Sequence, residues 1–368
     1  MIISHLSKIQ KMKMESSTLN YSFVRQLFTA LFLLNFVVSS GQEMNSGKSV
    51  PLFSSDEILK LTIKGDFKSL IKDVGEDRKE HPTIVEYVEN DDTIRLHVQI
   101  ETRGNFRRSA QNCNFPPLNL NFRKKEVKNT LFDEINKVKL VTHCKSGSKA
   151  YQQYVLEEYL VYRTYNIITD TSYRVRLAFI TYYDTVSDKI FQESYSFFIE
   201  HDKNFEKRFN LIEYEKKYVM QDKTKYEHMA KLAVFQYMIG NTDWAVTTLH
   251  NVKLFTSDTT LPAYAIPYDF DWSGIVNAVY AVPLPRFGTT SVTERVFRGF
   301  CRPMDELKIT FEFFNSKKAE IYGLYQNFDL LKESERKRIL AYLDDFYRII
   351  GNDKLIKVEF LDACLKSN

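Results

Sequence analysis

The chain has 368 residues, 44% of them hydrophobic and 14% aromatic, which is enough to bury a large core and excludes intrinsic disorder. Its formal charge is +4 and its four cysteines, Cys113, Cys144, Cys301 and Cys364, are too widely spaced for a zinc pattern. Basic residues Lys8, Lys11, Lys13 and Arg25 precede the apolar run LFTALFLLNFVV and the small residues SSG, the order of a cleaved export signal, which we place at 1–41. Its removal takes away four basic residues and one acidic one and lowers the charge from +4 to +1, leaving no electrostatic basis for nucleic-acid binding and no membrane span. An oxidising compartment permits disulfides. Cys113 with Cys144 is a candidate bridge, and two buried free thiols are an equal alternative.

Residues 42–58 are polar and aperiodic and read as a linker. Alternation in TIRLHVQIETRG puts Ile94, Leu96, Val98 and Ile100 on one face of a strand ending at Gly104. PPLNLNF and KVKLVTH repeat the pattern, so an antiparallel sheet is expected. After KSGS the period changes, and Ser148 opens a helix through YQQYVLEEYLVYRTYNII. Two strands follow, YRVRLAFITYY and KIFQESYSFFIE. KYEHMAKLAVFQYMIG reads as a buried helix with Gly240 in the left-handed position after its end. The strands NVKLF and AYAIPYD come next, and two long amphipathic helices near 303–328 and 333–350 close the chain. His143 beside Cys144 reads as strand-end packing, because no second cluster accompanies it.

Two segments, GNTDWAVTTLHN and PYDFDWSG, place Asp243, Asn251, Asp269 and Asp271 around one strand hairpin. Buried carboxylates need a cation, donors or a proton, and this clustering of oxygen ligands points to a hard cation. The order of parts is sheet, helix with Glu157 and Glu158, two strands, buried helix, an Asp and Asn loop, hairpin and second Asp. Kinase-type phosphoryl transfer uses such an order. The predicted fold is therefore α+β and bilobal, protein-kinase-like. An N-terminal antiparallel sheet lobe, 59–200, would carry one key helix, and 201–368 would form a mainly helical lobe.

ETRGNFRR, EEYLVYRTYNII, GNTDW with its HN, and PYDFDWSG resemble the corresponding motifs of the spore-coat-H (CotH) kinase family, over about Ile94 to Gly274. The resemblance implies an exported atypical kinase that uses ATP with Mg2+ or Mn2+ to phosphorylate a hydroxyl of a protein substrate. It implies catalytic roles for Asp243 and for the helix residue Glu158. Asn251, Asp269 and Asp271 would hold the metal, while Arg103, Gly104 and Asn105 would approach the nucleotide phosphates and Arg107 would add charge. The chain departs from the family where PPLNLNF carries Asn119 and Asn121 in place of basic residues. An Asn cannot neutralise phosphate, so Lys139 or Lys145 is the candidate replacement. Without one, the alternative is a non-catalytic pseudokinase that binds a partner at the cell envelope.

Overall fold

The computed structural model describes residues 47–366; the stretch read as an export signal, 1–41, lies outside them. Ten strands and seven α-helices follow in order among the described residues. Strands β1 (Leu59–Gly65), β2 (His81–Glu89), β3 (Asp92–Thr102), β4 (Leu118–Phe122) and β5 (Lys137–Val141) pair antiparallel in sequence order. A short helix α1 (Phe67–Leu70) joins β1 to β2, and α2 (Lys149–Ile168) joins β5 to β6 (Val175–Asp184) and β7 (Lys189–Ile199).

The predicted bilobal kinase-like architecture does not hold. The strands from β1 to β7 form a closed seven-stranded barrel in the order β1-β2-β3-β4-β5-β7-β6, where an open antiparallel lobe was expected. Closure comes from β1, which runs parallel to β6 with Leu59 opposite Ala178 and Gly65 opposite Asp184. That pairing removes both free edges and makes the sheet mixed. A second sheet, in the order β10-β9-β8, lies outside the barrel, built from β8 (Ile212–Glu213), β9 (Val252–Thr256) and β10 (Tyr264–Pro267).

Alternation explains which residues fill the barrel. Leu96, Val98 and Ile100 of β3 meet Leu118 and Leu120 of β4 and Val138 and Leu140 of β5 inside, all at most 2% exposed. Ile63, Val85, Ile180 and Phe198 complete this core. A second apolar cluster runs from the outer face of β6 and β7, through α2, to α4 (Tyr226–Met238), α5 (Met304–Gln326) and α6 (Glu333–Ile350). Helices α3 (Asp202–Phe209) and α7 (Asp353–Ile356) are shorter. Helix α2 thus packs between the barrel and the C-terminal helices, and Gln153 on it donates to the Leu330 carbonyl at 3.1 Å.

Within residues 47–58, Leu52 is fully buried in a short 3-10 turn. All four cysteines are paired, Cys113 with Cys144 and Cys301 with Cys364. No helix among the described residues is long and apolar enough to cross a membrane.

Candidate functional site

Helix α4 stops at Ile239 because Gly240 takes φ +65°, a conformation an L side chain adopts only under strain. A Cβ there would also meet the Tyr342 hydroxyl at 2.0 Å. The chain therefore turns sharply into the Asp243 loop, which Trp244 anchors from inside at 1% exposure. Arg298 donates to the carbonyls of Thr242 and Trp244 and holds the loop from the other side.

Backbone hydrogen bonds fasten this loop to the segment after β10. Gly274 N donates to Gly240 O at 3.0 Å, Ile275 N to Ile239 O at 3.0 Å, and Tyr268 N to Asn251 O at 3.0 Å. Asn251 Nδ2 donates to Asp243 Oδ2 at 3.0 Å and to the Asp243 carbonyl at 2.8 Å. His250 Nε2 lies 2.8 Å from Asp243 Oδ1. Asn251 and Asp269 both have left-handed backbones, φ +50° and +62°, which Asn and Asp tolerate better than other residues. Asp269 is exposed, and its N–H donates to the Tyr162 hydroxyl of α2 at 2.9 Å.

The two glutamates of α2 have separate partners. Glu157 meets Arg338 of α6 at 3.0 Å, and burial pushes its carboxyl up to about 8 against the pull of that guanidinium. Glu158, 1% exposed, points into the cluster instead. Arg107 Nη1 lies 3.3 Å from Glu158 Oε2 and 3.7 Å from Asp271 Oδ2, and Nη2 donates to the Thr142 carbonyl at 2.6 Å. Tyr280 donates to Asp271 Oδ2 at 3.1 Å. Burial first, and then neighbouring carboxylates, raise the acids of both Glu158 and Asp271.

The 103–108 segment, between β3 and β4, supplies this guanidinium. Gly104 takes φ +86° and, like Asn105, is exposed. Arg103 is half-buried, and burial lowers its pKa while nearby Asp269 opposes the shift. Arg108 turns away to the Gly75 carbonyl at 2.5 Å and Glu76 at 2.7 Å. Phe106 packs on Trp272 with centroids 5.5 Å apart and on Tyr280 at 5.7 Å.

Asn119 and Asn121 donate to Glu101 and Glu80, at 2.9 and 2.7 Å, and so brace strands on the outside of the barrel. Lys139 stands directly across from Asn119 in the β4–β5 register. Its Nζ is 3.6 Å from Asp202 and 5.7 Å from the ring centre of Tyr268, next to Asp269. Burial lowers its pKa, and Asp202 opposes that shift. Lys145 instead lies over Tyr151 at 5.2 Å.

The structure thus brings Asp243 to Asn251 and Glu158 to Asp271, with Asp269, Arg103 and Lys139 within electrostatic reach, and leaves Gly104 and Asn105 at the surface. Tyr162, Tyr280 and His250 join the site without having been singled out; His250 was legible only as the residue before Asn251. The donors suit a hard cation: carboxylate and amide oxygens, with Glu158 Oε1 buried and lacking a hydrogen-bond partner. No group of three or more His, Cys, Asp or Glu among the described residues is arranged to hold a metal ion. A separate cavity of about 840 Å3 on the outside of the barrel, against β1, β2 and β6, contains none of these residues. Compared with known proteins, the chain matches no family model and no curated protein.

Proposed function

We propose that the protein transfers the γ-phosphoryl group of ATP to a hydroxyl of a protein substrate. The carrying observation is the buried Glu158 and Asp271 pair beside exposed Asp269, an acidic cluster whose neutralisation by Arg107 leaves Glu158 Oε1 unsatisfied. The resemblance of GNTDW and PYDFDWSG to the spore-coat-H kinases supports the same chemistry. Asp269 and Asp271, with the Asn251 amide, would hold Mg2+ or Mn2+, which supplies positive charge to the transferring phosphoryl group.

The remaining work falls to the chain. Asp243 orients the acceptor hydroxyl and takes its proton as the new O–P bond forms and the bond to the β-phosphate breaks, releasing ADP. Asn251 fixes the Asp243 carboxylate, and His250 links it to solvent. Arg103 and Lys139 offer positive charge to the phosphates, the role the two asparagines of β4 cannot fill. The two disulfides support an oxidising compartment, and we infer export.

Incubation of protein 42–368 with γ-labelled ATP, Mn2+ and a mixture of secreted acceptor proteins should yield labelled protein, and Asp269→Ala should abolish the signal. Equal labelling by Asp269→Ala would overturn the reading. The Arg107 contacts also favour a second reading, a pseudokinase-like binding module whose cluster stays closed. That reading predicts no melting shift with ATP and Mg2+, whereas binding at ~100 times the dissociation constant adds about 2.7 kcal/mol.

A further inference from the structure

A groove of about 630 Å3 lined by the β4–β5 connection, the start of β5 and α3 has basic walls. Lys124 and Lys128 come from the β4–β5 connection, Lys137 opens β5, and His201, Lys203 and Lys207 belong to α3 and its N-cap. Five lysines there face two carboxylates, Asp133 and Glu134.

Four of the five lysine charges are available; Lys137 is held by Glu101 at 2.6 Å. Lys124 and Lys128 are exposed, and among the described residues no carboxylate lies within ion-pair distance of either. Lys203 and Lys207 meet Glu206 and Glu134, at 2.8 and 2.5 Å, but are 74% and 68% exposed. Exposed pairs contribute little, so a ligand carboxylate can replace these partners at small cost. Asp133 is already engaged by the N–H groups of Asn129 and Glu134, at 3.1 and 2.8 Å, which blunts its charge.

Lys139 links the groove's strand to the candidate site. Lys137 and Lys139 share one face of β5 about 7 Å apart, by strand geometry. Lys139 reaches Asp202, the residue after His201, and Tyr268, the residue before Asp269. At the other end a smaller cavity, about 240 Å3, shares Glu134, Asn204 and Lys207 with the groove and continues to Lys48. The ligand is therefore elongated. A nucleic acid fits poorly, because Val127 is the only apolar lining residue, no Phe, Tyr or Trp ring is present to stack a base, and two carboxylates would face its phosphates.

We propose that this groove binds an acidic peptide segment, rich in Asp and Glu, and presents its hydroxyl-bearing flank to the Asp243 and Asp269 cleft. The role as a substrate-docking surface rests on the phosphotransfer reading; the binding itself does not. Electrostatic complementarity of this kind sets partner choice and encounter rate.

The test is fluorescence anisotropy with a labelled ten-residue Asp/Glu/Ser peptide and its Asn/Gln/Ser counterpart, without ATP or metal. The acidic peptide should bind at least tenfold more tightly. Lys124→Glu with Lys128→Glu should weaken it at least tenfold with an unchanged melting curve. Lys337→Glu, a charge reversal on α6, should leave binding unaltered, and Asp269→Ala should bind as well as wild type. Equal binding of both peptides, an equal loss in Lys337→Glu, displacement by equimolar inorganic phosphate, or tighter binding of single-stranded oligonucleotide would each overturn the proposal. Because Asp269→Ala retains binding, a negative phosphotransfer assay and a negative peptide titration report separate failures.

Discussion

Two buried arginine–carboxylate pairs in this molecule have opposite characters. Arg208, on α3, makes a bidentate pair with Glu200 at 2.9 and 2.6 Å, and its Nη2 also donates to the Ser172 carbonyl at 2.7 Å. Glu200 further accepts the Arg174 N–H at 3.1 Å. Arg107 sits at 3.3 and 3.7 Å from its two acids, and both its Nε and Glu158 Oε1 are buried without partners. A buried pair offsets its desolvation only when geometry and hydrogen bonds are complete. The first pair is a structural clamp between α3 and the barrel. The second is an incomplete counter-ion arrangement, the place where the proposed function puts a metal ion.

The largest expected contrast is in activity: Asp269→Ala abolishes phosphate transfer, whereas Glu200→Gln, tested below its melting point, retains it. In stability the order reverses. Arg208→Met strands Glu200 and should cost 3–5 kcal/mol by the general behaviour of broken buried pairs, measured by denaturant unfolding. Arg107→Met should cost less, about 1–2 kcal/mol, because Glu158 and Asp271 already hold protons readily. It should also bind Mn2+ more tightly than wild type, since the guanidinium no longer competes. An equal loss in both variants would erase the distinction.

Acid should weaken the barrel and the helical region alike. His143, against β7, and His228, on α4, are buried and pushed down to about 4 from 6.5, chiefly by desolvation. In each case the unfolded chain takes up the proton more readily. Their stabilisation is therefore complete above the unfolded value of 6.5 and lost as pH falls from there toward 4. Each should add a slope of about 1.4 kcal/mol per pH unit within that window. His143→Asn and His228→Asn, followed by urea unfolding at pH 7.5 and 5, should each flatten the dependence; an unchanged slope would contradict the assignment.

Most individual elements were legible. Strands β3 to β7 and helices α2, α4, α5 and α6 show clear periods, and Gly240 marks the end of α4. Closure of the barrel was not, because alternation tells which face of β1 is buried but not that its partner is β6, over a hundred residues later. Residues such as LKLTIKG and HPTIVEYVE alternate too, yet only the pairing shows them to be strands of the same barrel. At the site, residue types and spacing led to Asp243, Asn251, Asp269 and Asp271. The Arg107 contacts and the Tyr280 hydroxyl bond depend on how separate segments pack, which no local pattern records.

The proposed phosphotransfer requires this acidic cluster to take a divalent cation together with nucleotide. Electron paramagnetic resonance titration of Mn2+ into wild type and Asp269→Ala, with a non-hydrolysable ATP analogue present, tests it directly. Wild type should bind Mn2+ saturably and Asp269→Ala should not; Mn2+ bound equally by both proteins, or by neither, would overturn the proposal.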